Sequence, residues 1–185
     1  NFMDGIDGLA ALQGLSAGAA AAWLSQAAGA SPAYVALCLV LAGAHAGFLL
    51  HNRPPARLFM GDAGSVPTGF LLALLAVAGP WREGLPLACW PILLALFVSD
   101  AGLTLLFRVL RRAPLAQAHR DHLYQRLARR WGSHGRVDGL FLAVQWLWLT
   151  PLAWLAAREP ALGWLFLGLA YTPVLLAMAK CRHLQ

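Results

Sequence analysis

Six apolar runs limit what this chain can fold into: residues 9–28, 33–50, 66–79, 86–107, 139–157 and 161–179 are almost free of charge, with polar connections between them. A helix of about 20 apolar residues crosses the roughly 30 Å hydrocarbon core of a bilayer, and flanking residues or local thinning accommodate a shorter one such as 66–79. The expected fold class is therefore all-α, a polytopic transmembrane helix bundle of about six spans, with 1–185 expected to be the C-terminal portion of a single transmembrane domain. Composition agrees: 59% of the 185 residues are hydrophobic, only 12% are charged, and the mean hydropathy is +0.61. Soluble domains carry about twice that charge fraction. The first run is rich in Gly and Ala (Gly14, Ala17, Gly18 and Ala19 to Ala22), which suits close helix contact inside the bundle.

The net charge of +6 and pI near 10.0 would suggest nucleic acid in a soluble protein. Here the basic residues lie in the connections between spans, so they read as a topology signal and no nucleic-acid partner is expected. Twelve of the fourteen Lys and Arg fall in alternate loops, 51–65, 108–138 and 180–185, and only Arg82 and Arg158 fall in the others. The positive-inside rule then puts the first set, with residues 1–8, in the cytoplasm. Asp4, Asp7, Asp62, Asp121 and Asp138 collect on that same side, while Glu83 and Glu159 lie in the outer loops. Asp100 stands about two turns inside the fourth span. An intramembrane carboxylate is functional or paired, which leaves it either lining an active cleft or facing Arg108 or Arg111.

Cys38, Cys89 and Cys181 form no CxxC or metal spacing and are expected to be inert. The chain opens on Asn1 inside a polar motif with no signal-peptide pattern before it, so the natural start is expected to lie upstream.

Three motifs carry chemistry. In Asn1-Phe2-Met3-Asp4-Gly5-Ile6-Asp7-Gly8-Leu9, two carboxylates three residues apart, each followed by glycine, can converge on a cation or a phosphate-bearing ligand. Capping of the first span explains Asp7 alone, not the pair. In Arg57-Leu58-Phe59-Met60-Gly61-Asp62-Ala63-Gly64-Ser65, a tight turn precedes the third span, with Pro67 expected in its first helical turn. Such a helix start offers N–H groups to phosphate oxygens, and Asp62 can hold Mg²⁺ beside them. In His119-Arg120-Asp121-His122-Leu123-Tyr124-Gln125-Arg126, histidines three apart share a helix face and can bind metal, shuttle protons or, with Arg120, clamp a diphosphate, a zinc site not being expected without a third soft ligand nearby. The alternative for this loop is an amphipathic helix gripping lipid headgroups through Arg129, Arg130 and Trp131. His45 reads as a packed core histidine, and His51 with Asn52 sits at the mouth of the same cleft. No dinucleotide fingerprint, Walker loop or Ser/His/Asp arrangement is present.

Taken in this order and on this side, NFMDGIDGL, FMGDAGS and HRDHLYQR resemble the polyprenyl-phosphate N-acetylhexosamine-1-phosphate transferases. That group includes the phospho-MurNAc-pentapeptide translocases and the enzymes that initiate O-antigen and enterobacterial common antigen synthesis. The form of the histidine loop is nearer the O-antigen-initiating branch. The resemblance implies a metal role for Asp62, with Mg²⁺ as cofactor and Mn²⁺ as a substitute. It places Asp4 and Asp7 in the nucleotide and metal cleft, and His119, Arg120 and His122 over the diphosphate. It puts Asn1, Gly5, Ile6, Asn52 and Phe59 at the nucleotide, Phe59 by stacking on uracil. The implied partners are a UDP-N-acetyl sugar, a polyprenyl-phosphate lipid and the bacterial inner membrane, with a homodimer allowed. The family's adjacent aspartate pair is not found in these residues, so this segment alone is expected to be inactive. A transporter, whose polar groups would gather near the bilayer midplane, fits the one-sided carboxylates poorly; a non-catalytic remnant or assembly subunit is the other alternative.

Overall fold

The computed structural model describes residues 3–112 and 122–182, and among these the chain is all helix, with no strand. The elements are α1 (Leu9–Ala27), α2 (Pro32–Asn52), α3 (Gly61–Arg82), α4 (Cys89–Leu93), α5 (Ala95–Leu110), α6 (Leu123–Trp131), α7 (His134–Val144), α8 (Thr150–Arg158) and α9 (Gly163–Arg182). A π-helical turn, Gln145–Leu149, joins α7 to α8 without interrupting the rod, and a short 3₁₀ turn, Pro160–Leu162, leads into α9. Four helical stretches are long and apolar enough to cross a membrane: Pro32–Asn52, Gly61–Arg82, His134–Arg158 and Pro160–Lys180. The protein is a multi-pass membrane protein.

Helix α1 lies at the centre. Leu9, Ala11, Ala17, Ala20, Ala21 and Leu24 are all buried, and its small residues bring α2 unusually close. A Cβ added to Gly18 would stand 2.9 Å from the Cys38 carbonyl oxygen and 3.1 Å from the Ala42 nitrogen. Lipid provides no hydrophobic drive for helix pairing, so this backbone proximity supplies the dispersion contact that joins α1 to α2. Two polar side chains on α1 are satisfied internally: Gln13 Nε2 donates to the Leu93 carbonyl (3.1 Å), and Ser16 Oγ accepts from Trp146 Nε1 (3.3 Å). Trp90 Nε1 donates to Tyr34 Oη (2.9 Å), which donates to the Leu75 carbonyl (2.7 Å), linking α4, α2 and α3.

The apolar run 86–107 is two helices that meet at Leu94, and only α5 carries Asp100. Helix α3 begins at Gly61, inside the second motif, so Pro67 lies in its second turn and not in its first. Proline cannot donate to the Ala63 carbonyl there, which costs an intrahelical hydrogen bond. Helix α3 is also the barest element: only Ser65, Leu75 and Gly79 of its 22 residues are buried, while Val66, Phe70, Leu74, Val77 and Trp81 are exposed.

Candidate functional site

The first two motifs meet at one end of the bundle. Asn52, the last residue of α2, is 2% exposed, and its amide holds both motifs. Its Oδ1 accepts from the Gly8 N–H (2.9 Å) and its Nδ2 donates to the Leu58 carbonyl (2.9 Å). A buried amide with both ends bonded is a rigid fixture, since losing either partner leaves a desolvated polar group. Gly8 is the N-cap of α1 with φ +84°, a left-handed conformation suited to glycine. Asp7 therefore does not cap α1.

The two carboxylates of the first motif face different neighbours. Asp4 is half-buried and lies beside the Gly61 N–H at the start of α3, close enough to Asp62 to feel its charge. Burial holds its carboxyl above the usual aspartate range, and the Asp62 charge pushes the same way. Asp7 turns to the other side. Its Oδ2 accepts from the Ala56 N–H (3.1 Å) and lies 3.3 Å from His134 Nδ1, on the first turn of α7. The backbone N–H of Asp7 points at the same imidazole nitrogen (3.3 Å). Asp138, one turn along α7, is 5% exposed and lies beneath Gly8, where a Cβ would stand 2.5 Å from its Oδ2.

Beside Asp4 a cleft of about 290 Å³ opens between α1, α3 and α5. Asp4 and Ser65 lie toward one part of its lining, and Leu72, Leu94, Phe97 and Val98 supply apolar wall. Asp62, on the first turn of α3, is exposed. Phe59 is 70% exposed, at the edge of a second hollow shared with His45, Phe48 and Met60. His45 itself is buried, its Nδ1 2.8 Å from the Leu41 carbonyl and its Nε2 3.2 Å from Thr68 Oγ1, as a packed core histidine should be.

Among the other site candidates, Gly5 lies against Tyr124 and Gln125, where a Cβ would collide with the Tyr124 hydroxyl. Ile6 is 8% exposed and belongs to the apolar core. His122 is 3% exposed, occupies the extended N-cap position of α6, 3.5 Å from Asp100 Oδ1, and stacks on Tyr124. It is thus outside the helix whose face it was expected to share with His119. Asn1, His119 and Arg120 lie outside the described residues, as does Asp121. Asp100, open between cleft and arginine in the sequence, takes hydrogen bonds from Thr104 and from the backbone of Leu123 and Tyr124. His134 and Tyr124 are the site residues that sequence reasoning undervalued. His134 stands in no motif, and its only local signal is Ser133, which caps α7 by accepting from the Arg136 N–H.

Among the described residues no cluster of three or more His, Cys, Asp or Glu side chains could hold a metal. Asp4 and Asp62 form a hard oxygen pair of the kind Mg²⁺ uses with one or two carboxylates, the rest of its shell being water and phosphate oxygen. Burial and, after it, the Asp62 charge raise the Asp4 carboxyl, and a bound cation would offset both. The donor set fits Mg²⁺ and suits zinc poorly.

Comparison with known proteins follows this geometry. Residues 1–80, which contain both motifs, match the model of the family described as glycosyl transferase family 4. A Bacillus subtilis protein named "Probable undecaprenyl-phosphate N-acetylglucosaminyl 1-phosphate transferase" is 31% identical over 130 residues, covering 69% of this chain and 36% of that protein. A phospho-N-acetylmuramoyl-pentapeptide-transferase of a Synechococcus strain is 43% identical over 96 residues, 51% of this chain and 25% of that one. The chain thus spans roughly a third or less of the length of these relatives. No solved structure matches. The matched segment coincides with the carboxylate motifs that Asn52 ties together, and with these relatives it places the chain in glycosyl transferase family 4.

Proposed function

We propose that the full-length gene product transfers an N-acetylhexosamine 1-phosphate from a UDP-sugar to a polyprenyl phosphate, releasing UMP at the cytoplasmic face of a bacterial inner membrane and starting an envelope glycan such as O-antigen. The observation that carries this reading is the cleft between α1, α3 and α5, which sets Asp4 next to the Asp62 turn while the rest of its wall is largely apolar. A substrate with a phosphate head and a hydrocarbon tail matches both parts.

In the reaction, an oxygen of the lipid phosphate forms a bond to the β-phosphorus of the UDP-sugar as the bond from that phosphorus to the bridging oxygen of UMP breaks. Both reactants are anions, so the site must offset charge and align the three reacting atoms. Asp4 and Asp62 would hold Mg²⁺, which when bound neutralises phosphate charge. The N-terminal turn of α3 adds backbone N–H groups and a positive dipole end, both suited to phosphate oxygens. Phe59 offers an exposed ring on which a uracil can stack. Asp7, held by the Ala56 N–H and facing His134, keeps that imidazole at the rim of the same motif. Asn52, with its amide engaged on both sides, acts by fixing the loops and not by touching the nucleotide.

The test is Asp62→Asn in the full-length gene product, assayed for UMP release from UDP-N-acetylhexosamine with undecaprenyl phosphate in detergent. Turnover is expected to fall to background. A rate near wild type would refute the metal assignment, and a panel of UDP-GlcNAc, UDP-GalNAc and a 6-deoxy N-acetyl sugar identifies the donor.

A further inference from the structure

Asp100 is 2% exposed near the middle of α5, and its carboxylate reaches out of its own helix to the start of another. Oδ1 accepts from the Leu123 N–H (2.9 Å) and from Thr104 Oγ1 (3.3 Å), and Oδ2 accepts from the Tyr124 N–H (3.2 Å). His122 Nδ1 lies 3.5 Å from Oδ1. Helix α6 has no side-chain cap of its own, since its N-cap residue is His122. Asp100 therefore caps it from a different helix, meeting free N–H groups and the positive end of the dipole.

A nine-residue helix could be capped far more cheaply by Ser or Asp at position 122. Burying a carboxylate in α5 for the purpose is costly unless it is fully bonded, and what it adds is location: it fixes where α6 begins relative to α5. The next links carry that location to the first motif. Tyr124 is fully buried and its hydroxyl packs directly against Gly5. No room remains between them, because a Cβ on Gly5 would meet that hydroxyl. His122 stacks on the Tyr124 ring, with centroids 5.6 Å apart and planes at 25°. Gly5 adjoins Asp4, which lies beside the Gly61 N–H at the start of α3.

We propose that Asp100 is a positioning residue: through the backbone of Leu123 and Tyr124 it sets the Tyr124 hydroxyl against Gly5, with His122 stacked on the Tyr124 ring, and so registers α6 to the Asp4 motif. Its consequence for catalysis rests on the transferase reading above. Its consequence for geometry does not.

The experiment separates the two. Hydrogen exchange is followed at Gly5, at the α6 amides and at α2 as a control, alongside UMP release, in the full-length protein and its Asp100→Ala, Asp100→Asn and Tyr124→Phe variants. Losing charge-assisted bonds should speed exchange at Leu123 and Tyr124 by about tenfold or more in Asp100→Ala. The distinctive expectation is that exchange at Gly5 also rises, while α2 is unchanged. Asp100→Asn keeps one carbonyl acceptor and should recover part of the protection, and it serves alone if Asp100→Ala does not fold. Tyr124→Phe should free Gly5 while leaving the Leu123 amide protected. If turnover is present, kcat should fall about tenfold in Asp100→Ala with KM for the UDP-sugar changed less than about threefold. Gly5 protection unchanged in both Asp100 variants overturns the proposal, as does faster exchange everywhere including α2, which would mark a general stability role. Absence of UMP release from the wild type sinks the transferase reading and leaves the Gly5 result to decide this one.

Discussion

Gly18→Ala is the sharpest probe of how α1 is held. In an isolated helix interior, replacing Gly by Ala stabilises by about 1 kcal/mol, because the helical backbone costs glycine more entropy. At Gly18 the new methyl would meet Cys38 O at 2.9 Å, Ala42 N at 3.1 Å and Ala42 Cβ at 3.2 Å, two of them backbone atoms of α2 that no rotamer change can move. Helices α1 and α2 must separate by some tenths of an ångström, and overpacking of this kind costs about 1 to 3 kcal/mol. A matched control exists on α2 itself, where a Cβ on Gly43 meets nothing within 4 Å. The propensity gain is common to both substitutions, so their difference isolates the packing cost. Gly18→Ala should be less stable than Gly43→Ala by about 1 to 3 kcal/mol in reversible unfolding from mixed micelles. The strain reaches the functional end, because α1 and α2 are also tied there by Asn52 and Gly8. Equal stabilities for the two variants would refute the claim that α1 and α2 are in backbone contact at Gly18.

Asn52→Ala removes one buried and one part-buried hydrogen bond and leaves the Gly8 N–H without a partner; a loss of about 1 to 3 kcal/mol is expected, measured by the same unfolding. Gly79→Ala, whose Cβ would stand 2.7 Å from Tyr34 Oη, should displace that hydroxyl from the Leu75 carbonyl and alter the Trp90 fluorescence spectrum. Hydrogen bonds from Ser31 hold the Glu83 carboxyl below the usual glutamate range, its Oε2 lying 2.8 Å from the Ser31 nitrogen. A lowered folded pKa favours folding above the unfolded value and loses that contribution as pH falls through the folded one. The Ser31 amide resonance should therefore stay constant at neutral pH and move only on acidification below roughly pH 4.3, and Glu83→Gln should abolish the titration.

Much of the architecture is written in hydropathy, because a bilayer leaves the chain only helices to satisfy its backbone in lipid. Periodicity and length could not show that the fourth apolar run breaks at Leu94, since the break is a change in hydrogen bonding inside a sequence that remains apolar throughout. Nor could they show that α3 absorbs its own motif: Gly61 at φ +58° starts the helix, whereas Pro67 had suggested a later start. At the site, motif spacing brings Asp4 near Asp62, but it is silent on direction. Asp4 and Asp7 look equivalent in sequence and face opposite neighbours, because the loop turns through Gly5 and Gly8 between the anchors Tyr124 and Asn52. Asp100, His134 and Tyr124 act through contacts more than 20 residues away, and a single sequence holds no trace of such pairs.

The bareness of α3 bears on how this protein must be handled. Helix α3, which carries Asp62 in its first turn, touches the rest of the described chain through few buried residues, and Val66, Phe70, Leu74, Val77 and Trp81 form an apolar face left uncovered by it. A surrounding layer too thin or too thick would tilt α3 to match its apolar length, and because Gly61, its first residue, lies beside Asp4, the tilt would load the junction between α3 and the first motif. Acyl-chain length therefore bears on the junction that carries Asp62, so the choice of detergent or lipid becomes a variable of the chemistry as well as of solubility.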